Sequence, residues 1–374
     1  MKKLLLILLC FPLLFTTCKK EEEEISNTGN TNTGNNGNTT LTWEKTFFDG
    51  VSDQKGGAFC INQTADDGYV FLCHAVSDID FFMKIDENGD EEWTQEQFDA
   101  LHDFNYLAKT NDGGFIITGG IDTSGRGDDD RIHLTKLNEY GNLQWNTVFQ
   151  QMHTGYPSYV SETNDGGYII LSRSLIKTNS QGVLDWEKDI DADAVFHTND
   201  GGYIISDSDS LIKINSNGNV EWEKHAFIKP TPFTEYNFNS IEQTTDGGYI
   251  LGGSVGEKPN YELLLAKVDA NGNVEWEKTY GGDSDGEFAQ QTSDGGYIII
   301  GTTSSLGNGS SDVYFVKTDA NGNQVIGKTF GGTDSDDGES ISATSDGGYI
   351  IGGATESFGD NNIYILKVDE NGNL

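Results

Sequence analysis

Seven times in 374 residues the chain returns to one phrase, an Asp followed by a Gly-Gly-aromatic step and an apolar run. "TSDGGYIIIG" at 292–301 and "TSDGGYIIGG" at 344–353 are the fullest copies. The Asp falls at Asp66, Asp112, Asp165, Asp200, Asp246, Asp294 and Asp346, at intervals of 35 to 53 residues. Asp67 stands for the first Gly in one copy and Phe115 for the Tyr in another. No other feature constrains the fold so tightly. A unit of this length cannot bury its own apolar surface, so each copy must stack on its neighbours.

A second phrase interleaves with the first: Lys-x-Asp/Asn-x-x-Gly and then a strand bearing Trp, as in "KIDENGDEEW" (84–93) and "KVDANGNVEW" (267–276). Between them the phrases define four strands. In the last unit "ESISAT" is a strand and "SDGG" a tight turn, with Gly supplying the positive φ. "YIIGGA" and "IYILKV" follow as strands, and "DENGN" is a second turn. No stretch beyond the N-terminal segment has a helical period. The middle strands ("YIII", "VYFV") are apolar at consecutive positions, so they are covered on both faces, as when sheets pack around a ring. The ends close the argument. "TWEKTFF" (42–48) is a fourth strand without a unit, and the chain stops at "KVDENGNL" (367–374), a unit without a fourth strand. Pairing them removes both open edges. The expected fold is all-β: a seven-bladed β-propeller of four-stranded antiparallel blades over residues 41–374, its last blade closed by the N-terminal strand. Trp43, Trp93, Trp145, Trp186, Trp222 and Trp276, with Ile326 in the seventh place, read as packing residues.

The units resemble the D-G-G-Y/F-I-I-x-G…K-x-D-x-x-G-N-x-x-W repeats of bacterial and archaeal secreted β-propeller proteins, many of them lipoproteins. The resemblance covers 42–374. It implies an extracytoplasmic binding or scaffolding role and transfers no catalytic residue.

The N-terminus reads as an export signal over residues 1–17. Lys2 and Lys3 precede an apolar run, Leu4 to Phe15, too short to span a membrane. "FTTC" resembles a lipoprotein cleavage site, which implies lipid on Cys18 and an outer-membrane anchor; an ordinary secretory signal with an incidental Cys is the other reading. "KKEEEE" (19–24) resembles the surface-export signal of some Gram-negative lipoproteins, and it equally suits a solvated spacer. Residues 18–40 read as anchor and flexible linker.

Charge narrows the partners. Lys plus Arg number 23 against 60 Asp plus Glu, a formal net charge of −37. This repels nucleic acid and anionic membrane surfaces and admits cationic, metal or neutral ligands. A glycan or protein ligand is the expectation, with binding favoured over catalysis. The alternatives are a glycan-active hydrolase or lyase using loop carboxylates at the ring mouth, and a purely structural envelope protein. Sites are expected on the face carrying the variable loops. Phe227, Phe233, Tyr236 and Phe238 are candidate ligand contacts, the other reading being that they plug their own loop onto its blade. Asp283, Asp285, Glu287, Asp334, Asp336 and Glu339 offer hard oxygen ligands suited to calcium, although loop capping explains them as well. Cys60 and Cys73 flank the first repeat turn symmetrically and admit a cross-strand disulfide or two buried thiols. "GGSVG" (252–256) matches a nucleophile-elbow pattern but lies inside a repeat strand, where that chemistry has no strand-turn-helix to use. "RGD" (126–128) is a chance match in a Gly- and Asp-rich loop.

Overall fold

A computed structural model describes residues 30–33, 39–47, 57–75, 79–96, 104–121, 131–149, 157–190, 192–229, 231, 234–257, 259–358 and 362–374. Cys18, the export signal, "RGD" and Phe233 lie outside these residues. The described chain forms seven antiparallel sheets in a ring, the expected seven-bladed propeller. Within a blade the strands a to d run outward from the ring axis. Blade 1 is Gly57–Gln63, Tyr69–Ala75, Ile79–Ile85 and Glu91–Glu96, and blade 2 is Tyr106–Lys109, Phe115–Ile121, Arg131–Leu137 and Leu143–Val148. Blade 3 is Tyr159–Glu162, Tyr168–Leu171, Leu175–Thr178 and Leu184–Lys188, and blade 4 is Ala194–His197, Tyr203–Asp207, Ser210–Ile214 and Val220–His225. Blade 5 is Glu235–Gln243, Tyr249–Glu257, Asn260–Val268 and Val274–Tyr280, and blade 6 is Ser284–Gln291, Tyr297–Thr303, Asp312–Thr318 and Gln324–Phe330.

Blade 7 is built from both ends: Asp336–Ala343, Tyr349–Thr355 and Asn362–Val368 take Thr39–Phe47 as strand d. The latch register pairs Trp43 with Lys367, Lys45 with Ile365 and Phe47 with Ile363. From the expected linker, Asn30–Thr33 adds a fifth strand, antiparallel to Thr39–Thr42.

Consecutive apolar residues in strands b and c are buried on both sides, as in Asn362–Val368, where every residue is buried. The blades interlock through the two repeat phrases. Each Trp of strand d crosses to the next blade and covers the Gly of its c–d turn, and Trp43, Trp186 and Trp276 meet the repeat Tyr there edge-on. Trp276 and Tyr297 have ring centroids 5.5 Å apart, and Trp186 and Tyr203 5.9 Å. A Cβ on Gly322 (φ +73°) would lie 2.7 Å from the Trp276 ring, so the turn must stay bare. A second lacing runs along the inner ends. Gln63, Gln243 and Gln291 each accept a hydrogen bond from a turn amide of the preceding blade, those of Ser345 (2.7 Å), Asn199 (2.8 Å) and Thr245 (2.8 Å).

One face of the ring carries the same lock in every blade. The repeat Asp receives the hydroxyl of the Thr two residues before it at 2.5–2.6 Å. The lysine near the end of strand c reaches the same carboxylate at 2.5–3.1 Å. Both glycines of the phrase follow. Gly113 takes φ +83°, and a Cβ on Gly114 would lie 2.2 Å from the Leu137 carbonyl and 2.6 Å from the Lys136 Nζ. Burial pushes these carboxyls up, but the Thr hydroxyl, the Gly amide and the ammonium together outweigh it and hold Asp112, Asp200 and Asp246 at about 2.

Candidate ligand site on the ring axis

The a strands of all seven blades line one axial cavity of about 580 Å³, within the size range of ligand pockets. Its two sides differ. On the side of blades 5 to 7 stand Asn239, Glu242, Glu287, Gln290 and Glu339. On the side of blades 1 to 4 stand Cys60, Tyr106, Tyr159 and Phe196, with Asp193 the one acid. Strand lengths reinforce the asymmetry. Strands a and b of blade 5 have nine residues each, whereas in blades 3 and 4 strands a to c have only four or five. The b–c connections there are correspondingly short, so the rim is lower on that side.

Backbone irregularity aims the polar wall. The registers of blades 5, 6 and 7 skip Asn239, Glu287 and Glu339, each at a β-bulge in strand a. A bulge leaves its extra residue outside the ladder and re-aims the side chain. Glu242 and Gln290 lie three positions nearer the repeat turns, a rise of about 10 Å. Asn239 Nδ2 donates to Glu287 Oε2 at 3.2 Å and to the Gly286 carbonyl at 2.9 Å. The Gln291 amide donates to Glu242 Oε2 at 3.3 Å. Gln290 also donates to Glu242, and its own Oε1 is buried without a hydrogen-bond partner among the described residues.

Burial raises the Glu242 carboxyl to about 7, offset in part by Gln291 and Gln290. Burial, then the charges of Glu339 and Asp285, raises Glu287 to about 8. Apart from Asp193 the opposite wall is neutral. Tyr106 and Tyr159 meet with ring centroids 5.1 Å apart, and burial pushes the Tyr159 hydroxyl up to about 12. Burial likewise raises the Cys60 thiol to about 12, so it is a poor nucleophile at neutral pH.

The residues expected from sequence divide sharply. Glu287 and Glu339 do face a cavity, but together with Glu242 rather than with the loop aspartates. Asp336 is fully buried and caps its loop: it accepts the Ser357 hydroxyl at 2.6 Å, the Gly332 amide at 2.8 Å and the Thr355 hydroxyl. Asp283 adopts φ +50° in a turn, and Asp285 and Asp334 are exposed. Among the described residues no three His, Cys, Asp or Glu side chains stand close enough to hold a metal ion. Phe227, Tyr236 and Phe238 are buried and pack on one another, with Phe227 and Phe238 centroids 4.7 Å apart. They belong to a core cluster shared by blades 4 and 5, so they are not open ligand contacts. Of the two readings of Cys60 and Cys73, a disulfide or free thiols, the disulfide fails. The bulge between Phe59 and Ile61 shifts the register, Cys73 faces Ala58, and the two thiols are not joined. Ser254 of "GGSVG" lies mid-strand, paired with Asn237 and Leu263.

Sequence reading missed Glu242, Gln290, Tyr106 and Tyr159. The available signal was position: four, six and seven residues before each repeat Asp the residue type changes from blade to blade, while the position five before it is apolar in every copy.

No protein-family model matches the chain, and no curated protein matches it. Among solved structures it is similar to the Pan2 WD40 domain of Neurospora crassa at 9% identity and TM-score 0.56, over 83% of this chain and 89% of that one. It is similar to YCF48 bound to D1 peptide at 10% identity and TM-score 0.54, over 87% and 94%. BamB from Moraxella catarrhalis matches at 10% identity and TM-score 0.48, over 82% and 96%. At these identities the likeness is one of fold.

Proposed function

We propose that the chain is an extracytoplasmic lipoprotein, anchored through Cys18, whose propeller is a non-catalytic binding module for a protein or glycan ligand seated in the axial cavity. The observation that carries this reading is the cavity itself. All seven blades contribute to it, yet its lining departs from the repeat that governs the rest of the ring. Selection for packing alone has no use for polar side chains aimed inward at bulges in three successive blades, two of them carboxylates. YCF48, a chain of similar fold, was solved with a bound peptide, which is in keeping with a protein ligand.

Two measurements test the reading. Mass analysis of the mature N-terminus, with Cys18→Ala as the control, checks the anchor: an unmodified Cys18 removes it. Screening the full-length chain in detergent against arrayed peptides and glycans checks binding, and a blank result on both removes the ligand.

A second reading, a glycan-active hydrolase or lyase, rests on Glu242 and Glu287, whose raised carboxyls suit a general acid near neutral pH. Reducing-sugar release from oligosaccharides that is lost in Glu287→Gln would favour it over binding.

A further inference from the structure

We propose that the axial cavity takes a positively charged side chain, a lysine or arginine presented by a protein partner. The inference rests on the binding reading above and names the chemistry of the ligand. Among the described residues lining the cavity there is no Lys, Arg or His, while Asp193, Glu242, Glu287 and Glu339 all line it. Seven of the protein's own lysines are engaged elsewhere. The seven strand-c lysines, from Lys84 to Lys367, are paired to the repeat aspartates on one face of the ring. Among the described residues no cation pairs with Glu242 or Glu287, so these two offer acceptors without a counter-charge. Gln290 adds one more, since its Oε1 is buried beside Glu242 without a partner among the described residues. A ligand that brings donors and positive charge satisfies this wall; one that brings an anion does not.

The opposite wall suits the rest of such a side chain. Tyr106, Tyr159 and Phe196 give an aromatic surface for an aliphatic stem and for cation–π contact with its head. At about 580 Å³ the space holds a side chain and part of its backbone, not a folded domain. The net charge of −37 adds long-range attraction for basic segments.

The test is selection of a random dodecapeptide phage library on the full-length chain in detergent, with a neutral-oligosaccharide array in parallel. The expected result is peptides enriched in Lys or Arg. Replacing that one residue by norleucine or citrulline should abolish binding, and Glu287→Gln or Glu242→Gln should each weaken it by at least about tenfold. The peptide-side replacement leaves the protein untouched, so it decides the matter even where a Gln variant misfolds. Bound peptides that lack a basic residue, or that tolerate its neutral replacement, overturn this proposal and leave the binding reading standing. Neutral oligosaccharides held equally by parent and Gln variants overturn it as well. Neither peptide nor glycan bound overturns both.

Discussion

The lock on one face of the ring and the lining of its axis belong to the same blades and obey opposite rules. At the lock, Thr, Asp, Gly and Lys recur in each blade with nearly constant distances. On the axis, only a few residues earlier in the same strands, Phe59, Asn105, Ser158, Asp193, Asn239, Glu287 and Glu339 occupy one equivalent position. The contrast separates two demands on a repeat protein. Every blade must meet its neighbours alike, so interface positions are copied. The axis is one shared space, and seven copies of one side chain would fill or line it symmetrically; a site with two unlike walls needs the copies to diverge.

Substitutions can break this division, and the lock should give the largest effects. Asp346→Ala removes the carboxylate from Lys367, which is 1% exposed and bonds Asp346 at 3.0 Å. A loss of about 3 kcal/mol in urea unfolding is expected, because a buried ammonium is left behind. Asp246→Ala should cost less, about 1 kcal/mol, since Glu275 also holds Lys267 at 3.0 Å. Equal losses would mean that the second carboxylate carries nothing.

Next comes the axis, read through pH. Glu242 and Glu287 are raised in the folded state, so their contribution is intact below the ordinary glutamate value of 4.5. It is lost as pH rises through about 7 and about 8, where the unfolded chain is already ionised. The parent's melting temperature should fall between pH 5 and pH 8, and the Glu242→Gln/Glu287→Gln double variant should stay flat there. The lock titrates with the opposite sign. Its depressed aspartates stabilise above pH 4 and lose that contribution as pH falls towards 2, in parent and double variant alike. The smallest effect is chemical. Cys60, its thiol raised by burial, should resist iodoacetamide at pH 8 while folded and react on unfolding, as followed by intact mass.

The repeat made most of the fold legible: blade count, strand order, both tight turns and the latch between the ends. The purpose of the second glycine and of the recurring lysine was not, although both repeat in the sequence. Their reason is one contact between strand c and the a–b turn, which no single strand pattern displays. The site was legible only in fragments. Glu287 and Glu339 were singled out for the wrong company, because spacing along the chain grouped them with Asp285 and Asp336. The bulges that turn them inward leave no mark of their own in the alternation of apolar and polar residues. The same defect moved Cys60 out of register with Cys73.

The latch fixes an order of events during synthesis. Glu44 and Tyr364, whose side chains bond across it, lie 320 residues apart. At roughly 5 to 20 residues per second the first-made strand waits about 16 to 64 seconds for its partner to emerge. Blades 1 to 6 each draw their four strands from one contiguous stretch and can assemble in that interval. Thr39–Phe47 meanwhile displays Trp43 and a bare β-edge to whatever passes, so a nascent ring is most vulnerable to tangling with its siblings just before it is complete. A chaperone that shields this one strand would protect the whole molecule.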